Sequence, residues 1–142
     1  MSLPRQDANT SPGLLWALAS PIGRMSREPY WLGFGLVWIV IGIAMRLWWL
    51  SLGADTPVEQ LNIVDFVGSN ALFPILFFVL NWIELAMVIK RAQDAGLTGF
   101  LGLLVFVPII NLIAVVIIGL LPSQPAPNKY GPMSNSYFRR PS

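Results

Sequence analysis

The segment LTGFLGLLVFVPIINLIAVVIIGLL, residues 97–121, contains no charged side chain. A helix of about 20 apolar residues crosses the hydrocarbon core of a bilayer, which is roughly 30 Å thick, and this segment exceeds that length. Two further apolar runs precede it, residues 31–52 and 71–89, and each contains one charged residue. Three such runs predict an all-α membrane protein that forms a three-span transmembrane helical bundle.

The composition agrees with a membrane-embedded chain and argues against several functions. Of 142 residues, 55% are hydrophobic and 11% are charged, whereas about a quarter of residues in soluble proteins are charged. The chain has no cysteine and no histidine, which excludes thiolate chemistry and removes the commonest metal ligand. No basic stripe with interleaved aromatic residues is present, so nucleic acid is not an expected partner. We expect no catalytic residues, metal site or cofactor.

The three runs are too short to fold separately, so we expect one transmembrane domain over residues 30–121. Residues 1–29 are predicted to form an N-terminal cytoplasmic or interfacial segment. Within it, the apolar stretch Leu14–Ala19 is shorter than the core of a secretion signal. We expect this stretch to lie at the membrane interface, and a disordered leader is the alternative. Residues 122–142 are rich in proline, serine and asparagine and are predicted to form an extended surface tail.

Aromatic residues mark the two ends of the first run. Trp31 and Trp48 are separated by about 26 Å at the rise of an α-helix, which suits the two headgroup layers of a bilayer. Gly35 and Gly42 lie two turns apart on one face of this helix and would let a neighbouring helix approach closely.

The charges between the runs predict an orientation. Residues 53–70 contain Asp55, Glu59 and Asp65 and no basic residue, and residues 61–67 are predicted to form a short surface helix. The basic residues flank the other ends of the runs, at Arg5, Arg24, Arg27, Lys90 and Arg91. Because basic residues concentrate in cytoplasmic loops, the N-terminus is predicted to be cytoplasmic and residues 53–70 to be outside.

The third run permits two topologies. Pro108 lies near its centre and Asn111 just beyond, and a proline kinks a membrane helix when neighbours satisfy the freed carbonyl. A single kinked crossing, with Pro108 as its hinge, would put the tail with Lys129, Arg139 and Arg140 outside. Alternatively, residues 108–111 form the tip of a re-entrant hairpin whose arms are each about 16 Å long, and the tail returns to the cytoplasm.

Three motifs carry a resemblance to a known family. Residues 23–31, GRMSREPYW, resemble the G-R-x-x-R-x-x-[FY]-W motif of the DUF805 family of small bacterial inner-membrane proteins. Residues 90–100, KRAQDAGLTGF, are similar to that family's [RK]-R-x-H-D-x-G-x-[ST]-G-[WF] segment, except that Gln93 stands where members usually have histidine. Residues 128–132, NKYGP, are similar to its closing N-x-[YF]-G-P. The resemblance covers residues 21–133, implies a bacterial inner membrane, and brings no known reaction.

The charged residues of these motifs are the first group of candidate site residues: Arg24, Arg27, Lys90, Arg91 and Asp94. They flank the same ends of the predicted spans, so Arg24 or Arg27 could form a bidentate ion pair with Asp94 that pins the helix ends together. The alternatives are that the basic residues bind anionic lipid headgroups or line a substrate site.

The residues around this group predict local structure. Gly96 and Gly99 permit a tight reversal between the second and third runs, because glycine tolerates backbone conformations that other residues avoid. Thr98 is a suitable cap for the helix that follows.

Polar residues inside the apolar runs are the second group. Charged side chains at membrane depth are costly and usually face protein or water. Glu84 and Asn81 lie one turn apart in the second run, and a proton or cation relay is one interpretation. Pairing of Glu84 with a basic residue, or its protonation, is the other. Arg46 lies one turn inside the aromatic end of the first run and is expected to extend to the headgroups.

No nucleophile with its base, phosphate-binding loop or metal cluster is recognisable, so an enzyme is not expected. The favoured function is a non-catalytic accessory or scaffold subunit of a membrane complex, with a membrane protein partner or a second copy of the chain. A small oligomeric transporter or channel that uses Asn81 and Glu84 is an alternative. A protein that binds anionic lipid through its basic motifs is another.

Overall fold

The computed structural model describes residues 7–52 and 56–139. Arg5, Asp55 and Arg140, which entered the charge analysis, lie outside these ranges. The structure is mostly helical, with short strands near its two ends. The elements in chain order are β1 (Ala8–Asn9), α1 (Leu14–Ala19), α2 (Arg27–Ser51), a 3-10 helix (Val58–Gln60), α3 (Ile63–Gly68), α4 (Leu72–Asp94), a second 3-10 helix (Gly99–Phe106), α5 (Ile110–Leu120) and β2 (Tyr137–Phe138).

Helices α2 and α4 correspond to the first two apolar runs and are long and apolar enough to cross a membrane. Only 28% of the most apolar part of α2 and 22% of that of α4 is buried inside the protein. The core helix of a soluble protein would bury most of its residues, whereas these two present apolar side chains outward. Two spans therefore agree with the sequence prediction in position and length.

The third run does not form one helix. Gly99–Phe106 is a 3-10 helix that packs mainly on α4, and α5 runs back beside it. At about 2.0 Å and 1.5 Å rise per residue, the two arms are each about 16 Å long. Both ends of the run lie at the C-terminal end of α4, because the Gln124 amide donates to the Asp94 carbonyl at 2.8 Å. The prediction of a single kinked crossing, and with it the third span, is wrong. The re-entrant hairpin is the alternative that agrees with the structure.

The hairpin reverses through a tight turn at Ile109. The Ile110 amide donates to the Pro108 carbonyl at 2.8 Å, and Ile109 has φ 69° and ψ −52°. This is a γ-turn of the rare, strained kind, and a positive φ is unusual for a β-branched residue. Pro108 is thus part of a chain reversal and not the hinge of a straight-through helix.

Small residues bring the hairpin and the long helices together. A side chain at Gly33 would collide with Met87, so this glycine allows close packing of α2 on α4. Gly102 lies against Ile89 in the same way and seats the 3-10 arm on α4. Backbone approach at glycine is a common means of packing helices in membranes.

Two short helices coincide with segments that the sequence analysis singled out. Helix α1 covers the apolar stretch Leu14–Ala19, for which no helix was predicted, and packs on α4. Helix α3 lies within two residues of the predicted surface helix, and the Asn62 side chain caps its start by accepting from the Asp65 amide. The Phe66 ring of α3 packs against Trp48 of α2 and Phe73 of α4, which closes one end of the bundle.

The segment after α5 is not the predicted extended tail. Residues 122–138 fold back over the C-terminal end of α4, and β2 pairs with β1 in antiparallel register. Ser136 is fully buried, and its carbonyl accepts from the Arg24 amide at 2.8 Å. We refer to residues 14–26 and 122–138, together with the end of α4 that they enclose, as the cap.

Candidate functional site

The charged residues of the cap meet at Asp94, the last residue of α4. Its Oδ1 accepts from Arg24 Nε at 3.0 Å and from Ser134 Oγ at 2.6 Å, and its Oδ2 accepts from Arg91 Nη1 at 2.7 Å. The side chains of Arg24, Arg91 and Asp94 are fully buried. A buried carboxylate is tolerated when opposite charges and hydrogen bonds satisfy its oxygens, and both oxygens are satisfied here.

Arg24 also ties the cap together through the backbone of the tail. Its Nη1 donates to the carbonyls of Ala126, at 2.9 Å, and Gly131, at 3.3 Å, while its Nη2 donates to the carbonyl of Gln124. A guanidinium has five donors in a fixed planar arrangement, which suits a site that gathers several acceptors. The structure thus brings Arg24 to Asp94 and uses its remaining donors to order the tail.

Arg27 does not reach Asp94. Its Nε donates to the Leu121 carbonyl at 3.0 Å and its Nη2 to the Leu120 carbonyl at 2.6 Å. Arg91 Nη2 also donates to the Leu121 carbonyl. The last carbonyls of a helix have no partner within the helix and carry partial negative charge, so cations stabilise them. Arg27 and Arg91 therefore hold the C-terminal end of α5 to α2 and α4.

Lys90 holds the C-terminal end of α1 in the same way, by bonding to its last carbonyls. Its Nζ is fully buried in the cap and donates to the carbonyls of Trp16 and Ala17, both at 2.8 Å, and to that of Ser20. Nζ also lies 4.7 Å from the centre of the Trp16 ring, a cation–π contact. The three donors of the ammonium group are used at the C-terminal end of α1.

The tight turn predicted at Gly96 is present, and Thr98 caps the helix that follows, as predicted. Gly96 has φ 79°, a conformation that favours glycine, directly after the end of α4. Thr98 Oγ1 accepts from the Phe100 amide at the start of the 3-10 arm. Gln93, at the position where the resemblance leads one to expect histidine, is half-buried, and its Oε1 has no hydrogen-bond partner.

The polar residues inside the apolar runs form a second group, which differs from the cap because it contains no ion pair among the described residues. Glu84 and Asn81 of α4 line a cavity of about 290 Å³ that also includes Asn111 of α5. A smaller cavity of about 190 Å³ adjoins it and shares Glu84 and Asn111. The Asn81 amide donates to the Phe77 carbonyl of its own helix at 2.8 Å. Sequence reasoning identified Glu84 and Asn81 but not Asn111, which joins them only because the hairpin reverses.

Glu84 has no cationic partner in the part of the chain that the structure describes, where both ion pairs are made by Asp94. Asn111 lies beside Glu84, and its buried Oδ1 has no hydrogen-bond partner. Arg46 is exposed on the outer face of α2 and does not join this group. The arrangement is therefore an apolar cavity with one unpaired carboxylate and two amides.

The fold and the two groups of polar residues define a class of protein. It is a mostly helical protein with two helices long and apolar enough to cross a membrane and a third, shorter apolar helix. A family model described as "Protein of unknown function (DUF805)" matches residues 18–132, most of the chain. The chain belongs to this family, as its three motifs predicted. No match to the chain was found among curated proteins or among solved structures.

Proposed function

We propose that this protein is a non-catalytic integral membrane protein that acts as an accessory or scaffold subunit of a membrane complex. This function is supported by the contacts that the charged residues of the sequence motifs make. Arg24, Arg91, Lys90 and Asp94 are buried and bonded to one another or to backbone carbonyls of the same chain. Such residues maintain the architecture of the cap, and their hydrogen bonds are made within the chain; the buried Nε of Arg91 has no partner among the described residues.

The outer face of α2 is the proposed contact surface. Among the described residues, an added Cβ at Gly35 or at Gly42 would meet no atom of another element within 4 Å, so the close approach predicted for these glycines is not used by residues 7–52 and 56–139. Trp38 and Ile39, on the same side of the helix, are exposed. Membrane helices associate through small residues that let backbones approach, and this face offers them to a neighbouring helix.

We also propose that the protein lies in a bacterial inner membrane with the cap in the cytoplasm. The hairpin brings the tail, with Lys129, to the end of the bundle that holds Arg24, Arg91 and Lys90. The acidic residues Glu59 and Asp65 belong to the connection at the opposite end. Basic residues concentrate on the cytoplasmic side, so this distribution supports the orientation. A tag at the C-terminus should be protected from a membrane-impermeant reagent in intact cells, and labelling of that tag would reject the orientation.

The contact surface is tested with a double variant, Gly35→Leu with Gly42→Leu. The wild-type chain, extracted in a mild detergent and examined by native mass spectrometry, is expected to carry a stoichiometric membrane protein partner or a second copy. The double variant should lose that association, because the added side chains hold the neighbouring backbone away.

Gly68→Leu is the matched control, since an added Cβ at Gly68 also meets no atom within 4 Å but the residue lies on α3. This control should retain the association. A wild-type chain that is monomeric in detergent and is not cross-linked to any protein in native membranes would reject the proposed function.

A further inference from the structure

The cavity around Glu84 has the character of a ligand site and not of a packing defect. Its volume of about 290 Å³ is at the lower end of the range for small-molecule pockets. Its walls come from four helices: Asn111 of α5 joins apolar side chains of the other three, which include Ile41 and Met45 of α2, Phe66 of α3, and Phe73 and Phe77 of α4. An apolar enclosure with a few convergent polar groups is the usual form of a site that binds a small organic molecule.

The polar groups of the cavity specify the charge of the ligand. Glu84 supplies two carboxylate oxygens with no cation beside them among the described residues. The Oδ1 atom of Asn111 is buried without a partner. The amide nitrogen of Asn81 already donates to its own helix, so the oxygen is the free part of that side chain. The Asn111 side chain is also hydrogen-bonded to Glu84, which leaves acceptor atoms as the available polar groups of the cavity. A ligand with N–H donors and a positive charge would bond to them.

A metal ion suits this site less well than an organic cation. Among residues 7–52 and 56–139, no group of three or more acidic, histidine or cysteine side chains is close enough to hold a metal ion. The other residues that line the cavity are aromatic and aliphatic. An ammonium group binds carboxylate oxygens and aromatic faces together, whereas an apolar wall gives nothing to a metal ion.

We propose that this cavity binds a small lipophilic amine, with its ammonium group on Glu84 and Asn111 and its hydrocarbon part against Phe66, Phe73 and Phe77. This inference does not depend on the scaffold role, because the cavity lies between α2, α3, α4 and α5 and the proposed contact surface lies on the outer face of α2.

The test uses three probes of nearly equal size and different charge: 4-phenylbutylamine, 4-phenylbutanol and 4-phenylbutyrate. Binding to the full-length purified chain in an uncharged detergent is measured by equilibrium dialysis, with Trp fluorescence as a second reading. The amine should bind saturably and at least tenfold more tightly than the alcohol, and the carboxylate should bind most weakly. Glu84→Gln should reduce the preference for amine over alcohol to less than twofold while binding of the alcohol persists.

Two controls separate charge recognition from general attraction or misfolding. Asp65→Asn removes an exposed carboxylate from α3 next to cavity-lining residues and should leave the preference for the amine intact. Ala44→Leu places bulk in the cavity and should weaken binding of the amine and the alcohol alike. No saturable amine binding to the wild-type chain, equal affinity for amine and alcohol, or an unchanged preference in Glu84→Gln would each overturn the proposal.

Discussion

The cap and the Glu84 cavity differ in how charged side chains are accommodated: those that form hydrogen bonds in the cap are fully buried, whereas Glu84 is half-buried. In the cap, Asp94 is enclosed by two arginines and a serine, and Lys90 has three carbonyl partners. In the cavity, Glu84 has one amide beside it and no cation within the described part of the chain. A buried group whose partners come from the same chain stabilises the fold, whereas one that lacks them is costly and needs another reason to be there.

The backbone shows the same contrast. The positive φ angles of the cap occur at Gly23, Gly96 and Asn135, residue types that tolerate this conformation. At the hairpin tip beside the cavity, the positive φ occurs at Ile109. Strained backbone often accompanies functional sites, because selection for stability alone would replace such a residue. Among the described residues, the cap thus places positive φ only at residue types that tolerate it, whereas the hairpin tip places it at a β-branched residue.

The largest effect is expected for Asp94→Asn. The substitution leaves the two buried guanidinium groups of Arg24 and Arg91 without a counter-charge, so the free energy of unfolding should fall by about 3–5 kcal/mol. Thermal and denaturant unfolding in detergent micelles, followed by Trp fluorescence, would measure the loss. The exposed Glu59→Gln should change stability by less than about 0.5 kcal/mol. A loss below about 1 kcal/mol for Asp94→Asn would break the comparison, because it would mean that the cap does not depend on its charges.

Lys90→Met should have a smaller effect that is confined to one element. Methionine keeps the apolar stem but removes the donors that hold the C-terminal carbonyls of α1, and we expect a loss of about 1–2 kcal/mol. Hydrogen exchange should rise within Leu14–Ala19 and stay unchanged in α4. The control is Lys129→Met, since Lys129 is exposed. Equal exchange in α1 for the two variants would mean that Lys90 does not hold this helix.

Ile109→Gly should stabilise the protein. Glycine adopts the γ-turn with little strain, and the exposed Ile109 side chain gives up little packing, so a gain of about 1 kcal/mol is expected. Ile113→Gly, at another exposed position inside α5, should instead cost about 1 kcal/mol through lower helix propensity. Unfolding curves of both variants would measure these changes. A loss of stability for Ile109→Gly would contradict the interpretation that the backbone at Ile109 is strained.

Glu84→Gln should not lower the free energy of unfolding, because no ion pair among the described residues is lost, the side chain keeps its shape, and the cost of an unpaired charge is removed. The same unfolding measurement that is used for Asp94→Asn applies. If the two variants lost similar stability, Glu84 would be a structural residue and the contrast between cap and cavity would disappear.

Much of the fold could be predicted from apolar run lengths. The lengths of residues 31–52 and 71–89 indicated α2 and α4, and the apolar stretch Leu14–Ala19, predicted as an interfacial segment, coincides with α1. The third run could not be resolved in this way, because a run of this length fits both one crossing and two half-length arms. Pro108 marked the break, but the direction of the chain after it depends on contacts of Leu121 and Gln124 with α4 that no periodicity reports.

The cap was predictable in part. The spacing of the motifs brought Arg24 and Asp94 to the same ends of the runs, and charge complementarity paired them. Residues 122–138 have no apolar pattern, so their docking was not foreseen; it is held by side chain to backbone bonds such as those of Arg24. The bonds of Arg27 to the last carbonyls of α5, and of Lys90 to those of α1, were not predicted either. Every residue has a backbone carbonyl, so the sequence does not indicate which ones a side chain will bind.

The fold-back of residues 122–138 has a consequence for synthesis. Arg24 emerges from the ribosome long before Gln124, Ala126 and Gly131, whose carbonyls it needs. Until those residues are made, Arg24 can pair with Asp94 but lacks its backbone acceptors. Synthesis of residues 122–138 is thus the step that completes the hydrogen bonds of a residue near the beginning of the chain.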